Sequence, residues 1–290
     1  MHTVLLVVYS AKTSRFLILA NRSTINVYST ANSLLTITIT PKVDEALRPH
    51  ARIITFCVSP TNPEFIWVAY ADGAIYYINW MTGVGADEYW SISATGCIHM
   101  TVASMISGGR RRDVLFTTEV SDVAWRITAH ELAPPGSSLS TAARTIYASA
   151  HKVNFLKTAN EGAVIVASAG NNVILGALKS NEYDTIDKIK YEFHVFESTD
   201  FISSLDVRCS DPTEETNKAR PTKGKKSRVP LPIVDVVVGD VKGSIFVHND
   251  LLRNLFQVDK SADVSSISLI PRKLHWHRQA VQSVKWSLDG

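Results

Sequence analysis

A short strand, a tight turn and a second strand of alternating apolar residues recur five times along this chain. Leu17–Ala20 leads through Asn21–Thr24 into Ile25–Tyr28, and Ile66–Ala69 through Asp72-Gly73 into Ile75–Ile78. Val114–Phe116 leads through Ser121-Asp122 into Val123–Arg126, and Val164–Ala167 through Asn171-Asn172 into Val173–Leu175. Val234–Val238 leads through Lys242-Gly243 into Ile245–Val247. β-Branched and aromatic residues fill the strands, where stiff, wide side chains pack on a pleated surface. Asn, Asp, Gly and Ser fill the turns, because they tolerate positive φ or bond their own backbone. With Thr24, Gly73, Asp122, Asn172 and Gly243 as markers, the separations are 49, 49, 50 and 71 residues. The excess in the last interval matches the 21 residues of Ser210–Pro230, which reads as an insertion at 210–230.

A second element precedes several of the turns: a His, then apolar residues at alternate positions, then a loop. His50 precedes Ile54 and Phe56, His151 precedes Val153 and Phe155, and His277 precedes Val281, Val284 and Trp286. Spacing by two puts such side chains on one buried face of a strand. Amphipathic segments of helix length are lacking between the strands, which excludes a parallel sheet built on crossover helices. Four strands in every 40–50 residues is the spacing of a β-propeller blade. The expected blades span roughly 16–40, 52–93, 97–148, 152–197 and 201–265. Val4–Tyr9 reads as a buried strand, since a six-residue apolar run without a basic flank is too short for a signal-peptide core. No apolar run approaches the ~20 residues that a membrane helix needs.

Two stretches narrow the expectation. Ala71–Tyr76 is similar to the hairpin between the second and third strands of a WD-repeat blade. Lys273–Val281, followed by Val284–Gly290, is similar to the first strand of such a blade, with its His, its apolar alternation and its Asp289-Gly290 end. Taken with Ile25–Thr30 in the first unit, Gly96–His99 entering the third, and Leu274–His277 after the inserted basic loop, the chain resembles the N-terminal propeller of the WD repeat-containing protein 75 family. The resemblance is strongest at these motifs and weak in the third and fourth units. It implies an all-β fold, a WD-repeat β-propeller of about five blade units plus the first strand of another. Residues 1–290 would be the N-terminal part of that domain, truncated before the blades close into a ring and remove their exposed strand edges. His50, Asp72, Gly73, His151, His277, Trp286 and Asp289 would then be structural positions of the repeat.

The candidate functional residues are basic. Net charge is only +3, so its placement matters more than its size. Lys218, Arg220, Lys223, Lys225, Lys226 and Arg228 lie within eleven residues, among Pro and Gly and with no acid. Such a stretch cannot bury enough apolar surface to fold, and it suits RNA phosphates or nuclear targeting. Arg110, Arg111 and Arg112 follow Gly108-Gly109 and are expected in an exposed loop, where their guanidinium forks suit phosphate or a carboxylate on a neighbouring protein. The six tryptophans are spread one or two to a unit, as core residues would be, not clustered as stacking platforms for bases.

Other chemistries find no support. Cys57, Cys97 and Cys209 are widely spaced and odd in number, against a disulfide framework or a zinc site and in favour of a reducing compartment. His275 and His277 lack further nearby ligands. Gly239–Gly243 lacks the Gly-Lys-Ser/Thr order of a phosphate loop, and no serine sits in a nucleophile elbow. The expected function is therefore not enzymatic and needs no cofactor. By the resemblance, the chain is a scaffold of the UtpA part of the nucleolar small-subunit processome. It would contact other UtpA-type WD-repeat subunits, processome proteins and precursor ribosomal RNA, and support processing of that RNA and its synthesis, with no membrane or small-molecule partner. The competing expectation is a cytosolic WD-repeat adaptor that binds proteins alone.

Overall fold

The computed structural model describes residues 6–10, 15–19, 23–40, 48, 51–82, 89–92, 96–121, 123–132, 142–179, 185–210, 232–256, 270–275 and 278–287. Over these residues the chain is all-β and forms five antiparallel sheets of four strands. The first sheet joins β1 (Leu6–Ser10), β2 (Arg15–Leu19), β3 (Ile25–Ser29) and β4 (Leu35–Ile39). The second joins β5 (Ile53–Val58), β6 (Phe65–Tyr70), β7 (Ala74–Asn79) and β8 (Trp90–Ser91). The third holds β9 (Cys97–Ser107), β10 (Arg110–Val120), β11 (Trp125–Glu131) and β12 (Ala142–Ser149). The fourth holds β13 (Val153–Ala159), β14 (Val164–Ala169), β15 (Asn172–Leu178) and β16 (Tyr191–Glu197). The fifth holds β17 (Ile202–Ser210), β18 (Ile233–Asp240), β19 (Ser244–His248) and β20 (Arg272–His275), with the short helix α1 (Leu251–Phe256) before its last strand. Strands follow chain order within every sheet, the meander that short connections favour. Five such meanders in succession are consistent with a β-propeller-like fold.

The repetition extends to the backbone register. In three sheets the first strand carries one extra residue against the second, at the same place. Ile54 is skipped between the pairs Ile53–Tyr70 and Thr55–Ala69, Ile98 between Cys97–Glu119 and His99–Thr118, and Ser203 between Ile202–Asp240 and Ser204–Gly239. A bulge of this kind bends the strand and sharpens its twist.

Chain contacts define two compact units, residues 1–156 with 178–191 and residues 157–177 with 192–290. In the first unit, alternation of side chains decides the packing. One face of the second sheet (Ile66, Val68, Tyr70, Tyr76, Ile78) meets Leu17, Leu19, Ile25 and Val27 of the first sheet. Its other face (Trp67, Ala69, Ile75) meets Cys97, Met100, Leu115 and Leu132 of the third. Strand β6 is thus apolar on both sides, which explains its unbroken Ile-Trp-Val-Ala run. In the second unit, Val281 and Val284 cover Val237 of the fifth sheet, beside Ile245 and Val247.

Three expectations are corrected. The first sheet begins at β1, ahead of residue 16, so the apolar N-terminal run is the opening strand of the first unit. Arg272–His275 is the last strand of the fifth sheet, paired with β19, and not the start of a further blade. Residues 278–287 are assigned to no strand, and are held by apolar packing on Val237 and by single hydrogen bonds, the Val281 N–H to the Asp240 carbonyl among them. Arg110, Arg111 and Arg112 lie on β10, paired with Ser107, Ile106 and Met105 of β9, because the connecting turn is only Gly108-Gly109, both at positive φ. Two glycines in that conformation close a hairpin tightly and carry the ladder to its tip.

Candidate functional site

The start of β10 lines a groove of about 280 Å3 between the second and third sheets. Its walls are Thr61 and Asn62 from the β5–β6 loop, Trp67 and Tyr77 from the second sheet, Arg110–Asp113, and Glu131-Leu132 at the end of β11. Alternation along β10 puts Arg111 on the side of Asp113 and Leu115, facing the second sheet, and Arg110 with Arg112 on the other side. Arg110 and Arg111 are exposed, whereas Asp113 is buried.

Both carboxylates of the groove are engaged within the protein. Asp113 Oδ1 accepts from the backbone N–H and hydroxyl of Thr61 (3.2 and 2.7 Å), and Oδ2 accepts from the indole N–H of Trp67 at 2.7 Å. This one side chain ties the third sheet to the second through three hydrogen bonds. Glu131 accepts from Arg112 and, at 2.9 Å, from the Ser107 hydroxyl. The aromatic wall is also closed on itself: Tyr77 stacks on Phe65 at 4.6 Å and leans on Trp67 at 4.3 Å. Burial pushes the Tyr77 phenol up, against hydrogen bonds to Ser59 and Asn62 that pull it down, so it stays neutral.

Asp72 and Gly73 form the β6–β7 turn, with Gly73 at φ +84°. The partner of Asp72 is Arg48, which sequence reading passed over. Its guanidinium donates to both carboxylate oxygens at 2.7 Å and to the Tyr76 hydroxyl at 2.7 Å. It also lies 5.0, 5.6 and 4.7 Å from the ring centres of Tyr70, Tyr76 and Tyr89. Burial would raise the Asp72 carboxyl, but the Arg48 hydrogen bonds and the Ala74 N–H outweigh it and hold the group below the usual carboxylate range. A lone arginine in a loop, 24 residues before its carboxylate, left no pattern to find.

His151 is exposed after β12, and its backbone N–H donates to the Ser149 hydroxyl at 3.1 Å. Trp286 lies against the fifth sheet: its backbone N–H donates to Asp206 at 3.1 Å, and the Arg208 guanidinium sits 4.3 Å from its ring. His50, His277, Asp289 and the basic series Lys218, Arg220, Lys223, Lys225, Lys226 and Arg228 lie outside the described residues.

One cluster has the composition of a catalytic relay. The buried His130 lies 2.7 Å from Glu119 and 3.0 Å from the Thr117 hydroxyl. Both contacts use the same ring nitrogen, and the Thr117 hydroxyl donates to Glu119 at 2.6 Å. A relay needs the two nitrogens to face opposite partners. Here the three groups satisfy one another inside the third sheet. Among the described residues no group of three or more His, Cys, Asp or Glu is placed to hold a metal ion.

Compared with known proteins, the sequence matches no protein-family model and no curated protein.

Proposed function

We propose that the chain is a WD-repeat propeller unit of the kind found in the WD repeat-containing protein 75 family. On this reading it acts without catalysis as a scaffold in small ribosomal subunit biogenesis, in the nucleolus. It would bind other UtpA-type WD-repeat subunits, processome proteins and early precursor ribosomal RNA, supporting the processing of that RNA and its transcription. The observation that carries the reading is the shared bulge, which gives three of the five meanders the same first-strand register. Identical repeated units make rigid surfaces with several loop-bearing faces, suited to simultaneous partners. Support for the nucleolar part comes from the sequence motifs and from the basic series Lys218–Arg228, whose phosphate contacts would be salt-sensitive and blind to base identity.

A second reading, an adaptor for proteins alone, draws on the groove at Arg110–Asp113, whose fixed carboxylates oppose a polyanion. Crosslinking and sequencing of RNA bound in cells separates the two. The first reading expects crosslinks in the early transcribed region of precursor ribosomal RNA, weakened when Lys218, Arg220, Lys223, Lys225, Lys226 and Arg228 are all changed to Gln. Absence of ribosomal RNA crosslinks from both forms would leave the adaptor.

A further inference from the structure

We propose that Tyr89 is a phosphorylation site, and that a phosphate there draws Arg48 away from Asp72 and unclamps the β6–β7 turn.

Access is the first ground. Tyr70, Tyr76 and Tyr89 surround the Arg48 guanidinium, with ring centres 5.0, 5.6 and 4.7 Å away. Tyr70 and Tyr76 are buried, whereas Tyr89 is 45% exposed. Among the described side chains it is the one exposed tyrosine. It directly precedes β8, the outer strand of the second sheet. That strand pairs with β7 at only two positions, Ala74 with Ser91 and Ile75 with Trp90. So short an edge strand can open locally at small cost and present the phenol to an enzyme. Asp87-Glu88 stand immediately before Tyr89, and no Lys or Arg occurs between Arg52 and Arg110. An acidic stretch of this kind complements the basic substrate groove of an acid-directed tyrosine kinase.

Charge is the second ground. The transfer joins Tyr89 Oη to the γ-phosphorus of ATP, breaks that atom's bond to ADP, and gives the phenol proton to the kinase's base. A neutral hydroxyl becomes a group of about −2 charge with three strong acceptor oxygens. In the unmodified protein Arg48 donates to both oxygens of Asp72 at 2.7 Å, so the two charges cancel. After modification one guanidinium faces both a carboxylate and a phosphate. Its planar fork cannot serve the two together, and the larger charge takes it. The strands of the second sheet hold no other Lys or Arg to replace it. Asp72 is then left beside a like charge, and it turns to water. The same segment is tied to the turn it would release, because the Ile92 N–H donates to the Gly73 carbonyl at 3.0 Å.

The test treats the whole chain with ATP and a recombinant tyrosine kinase of acidic preference, and maps the product by mass spectrometry. Phosphate should appear on Tyr89 and be lost in Tyr89→Phe, which keeps the ring over Arg48. Hydrogen exchange at the Ala74 and Ile75 amides should then run about tenfold faster in the phosphorylated protein than in the unmodified one. In Asp72→Asn, exchange at these amides should be fast beforehand, and phosphorylation should add nothing to it. Phosphate on other tyrosines with Tyr89 unmodified would overturn the site. Phosphorylated Tyr89 with exchange at Ala74 and Ile75 unchanged or slowed would overturn the release of the clamp.

Discussion

The β6–β7 and β18–β19 turns are the same piece of backbone anchored in two ways. Each closes a hairpin with a glycine at almost the same positive φ, +84° at Gly73 and +88° at Gly243. Each also has a bulged first strand beside it. Yet in the first turn the carboxylate, Asp72, points outward to Arg48 and its ring of tyrosines. In the second it is Asp240, two places earlier in the equivalent frame, buried, accepting from the N–H groups of Lys242 and Ser244 at 2.9 and 2.8 Å. Its backbone carbonyl takes the Val281 N–H at 3.0 Å. Both carboxylates accept from an amide of their own turn, Asp72 from the Ala74 N–H at 3.3 Å. The first turn is clamped from outside as well, by a partner of opposite charge, whereas the second is stapled by its own amides alone. Hairpin geometry can therefore repeat while the chemistry that secures it does not.

Acid should separate the two most strongly. His248 ends β19, and burial lowers its pKa to about 4. The folded state thus prefers the neutral ring, and its contribution is full above the unfolded value near 6.5. It is lost as pH falls from there towards 4, up to about 3 kcal/mol in all. The Asp72–Arg48 clamp, with a depressed carboxyl, keeps its contribution until pH falls below the ordinary carboxylate range. Hydrogen exchange read turn by turn should show Ser244 and Ile245 losing protection by pH 5 while Ala74 and Ile75 keep theirs. Equal loss at both turns would break the distinction.

Asp240→Ala removes the acceptor of two backbone amides, that of Ser244 buried and that of Lys242 part-buried, and should cost about 2–3 kcal/mol, measured by denaturant unfolding. Arg48→Ala should cost less, about 1–2 kcal/mol, because the clamp is part-buried and reaches water. Arg48→Lys should recover little of it, since an ammonium cannot fork onto both oxygens. Smallest, Gly73→Ala and Gly243→Ala should each cost about 1 kcal/mol, and by the same amount, because the strain is one of backbone conformation. Unequal glycine costs would mean that the two turns differ in more than their anchors.

The repeat was legible because it is written locally. Alternating β-branched residues mark each strand, and short runs of Asn, Asp, Ser or Gly mark the turns, so the period and the insertion could be read without contacts. Partnership between distant segments could not. The run Lys273–His275 has the same alternation whether it opens one sheet or closes another, and only its pairing with Phe246 and Ser244 decides. Arg110–Arg112 read as a loop because two glycines and three charges look like one, although a two-residue turn leaves all three on a strand. Arg48 and Asp113 carry the strongest polar links between segments, yet each is a single residue whose partner lies far along the chain.

The proposed role of the chain, a scaffold for precursor ribosomal particles, can be tested in nuclear extract. The most direct measurement is gradient sedimentation of nuclear extract, following the tagged full chain with early precursor ribosomal RNA and UtpA-type subunits. A scaffold of this kind sediments in the heavy precursor fractions and shifts to light fractions after ribonuclease. A chain confined to light, RNA-free complexes, unmoved by ribonuclease, would contradict it.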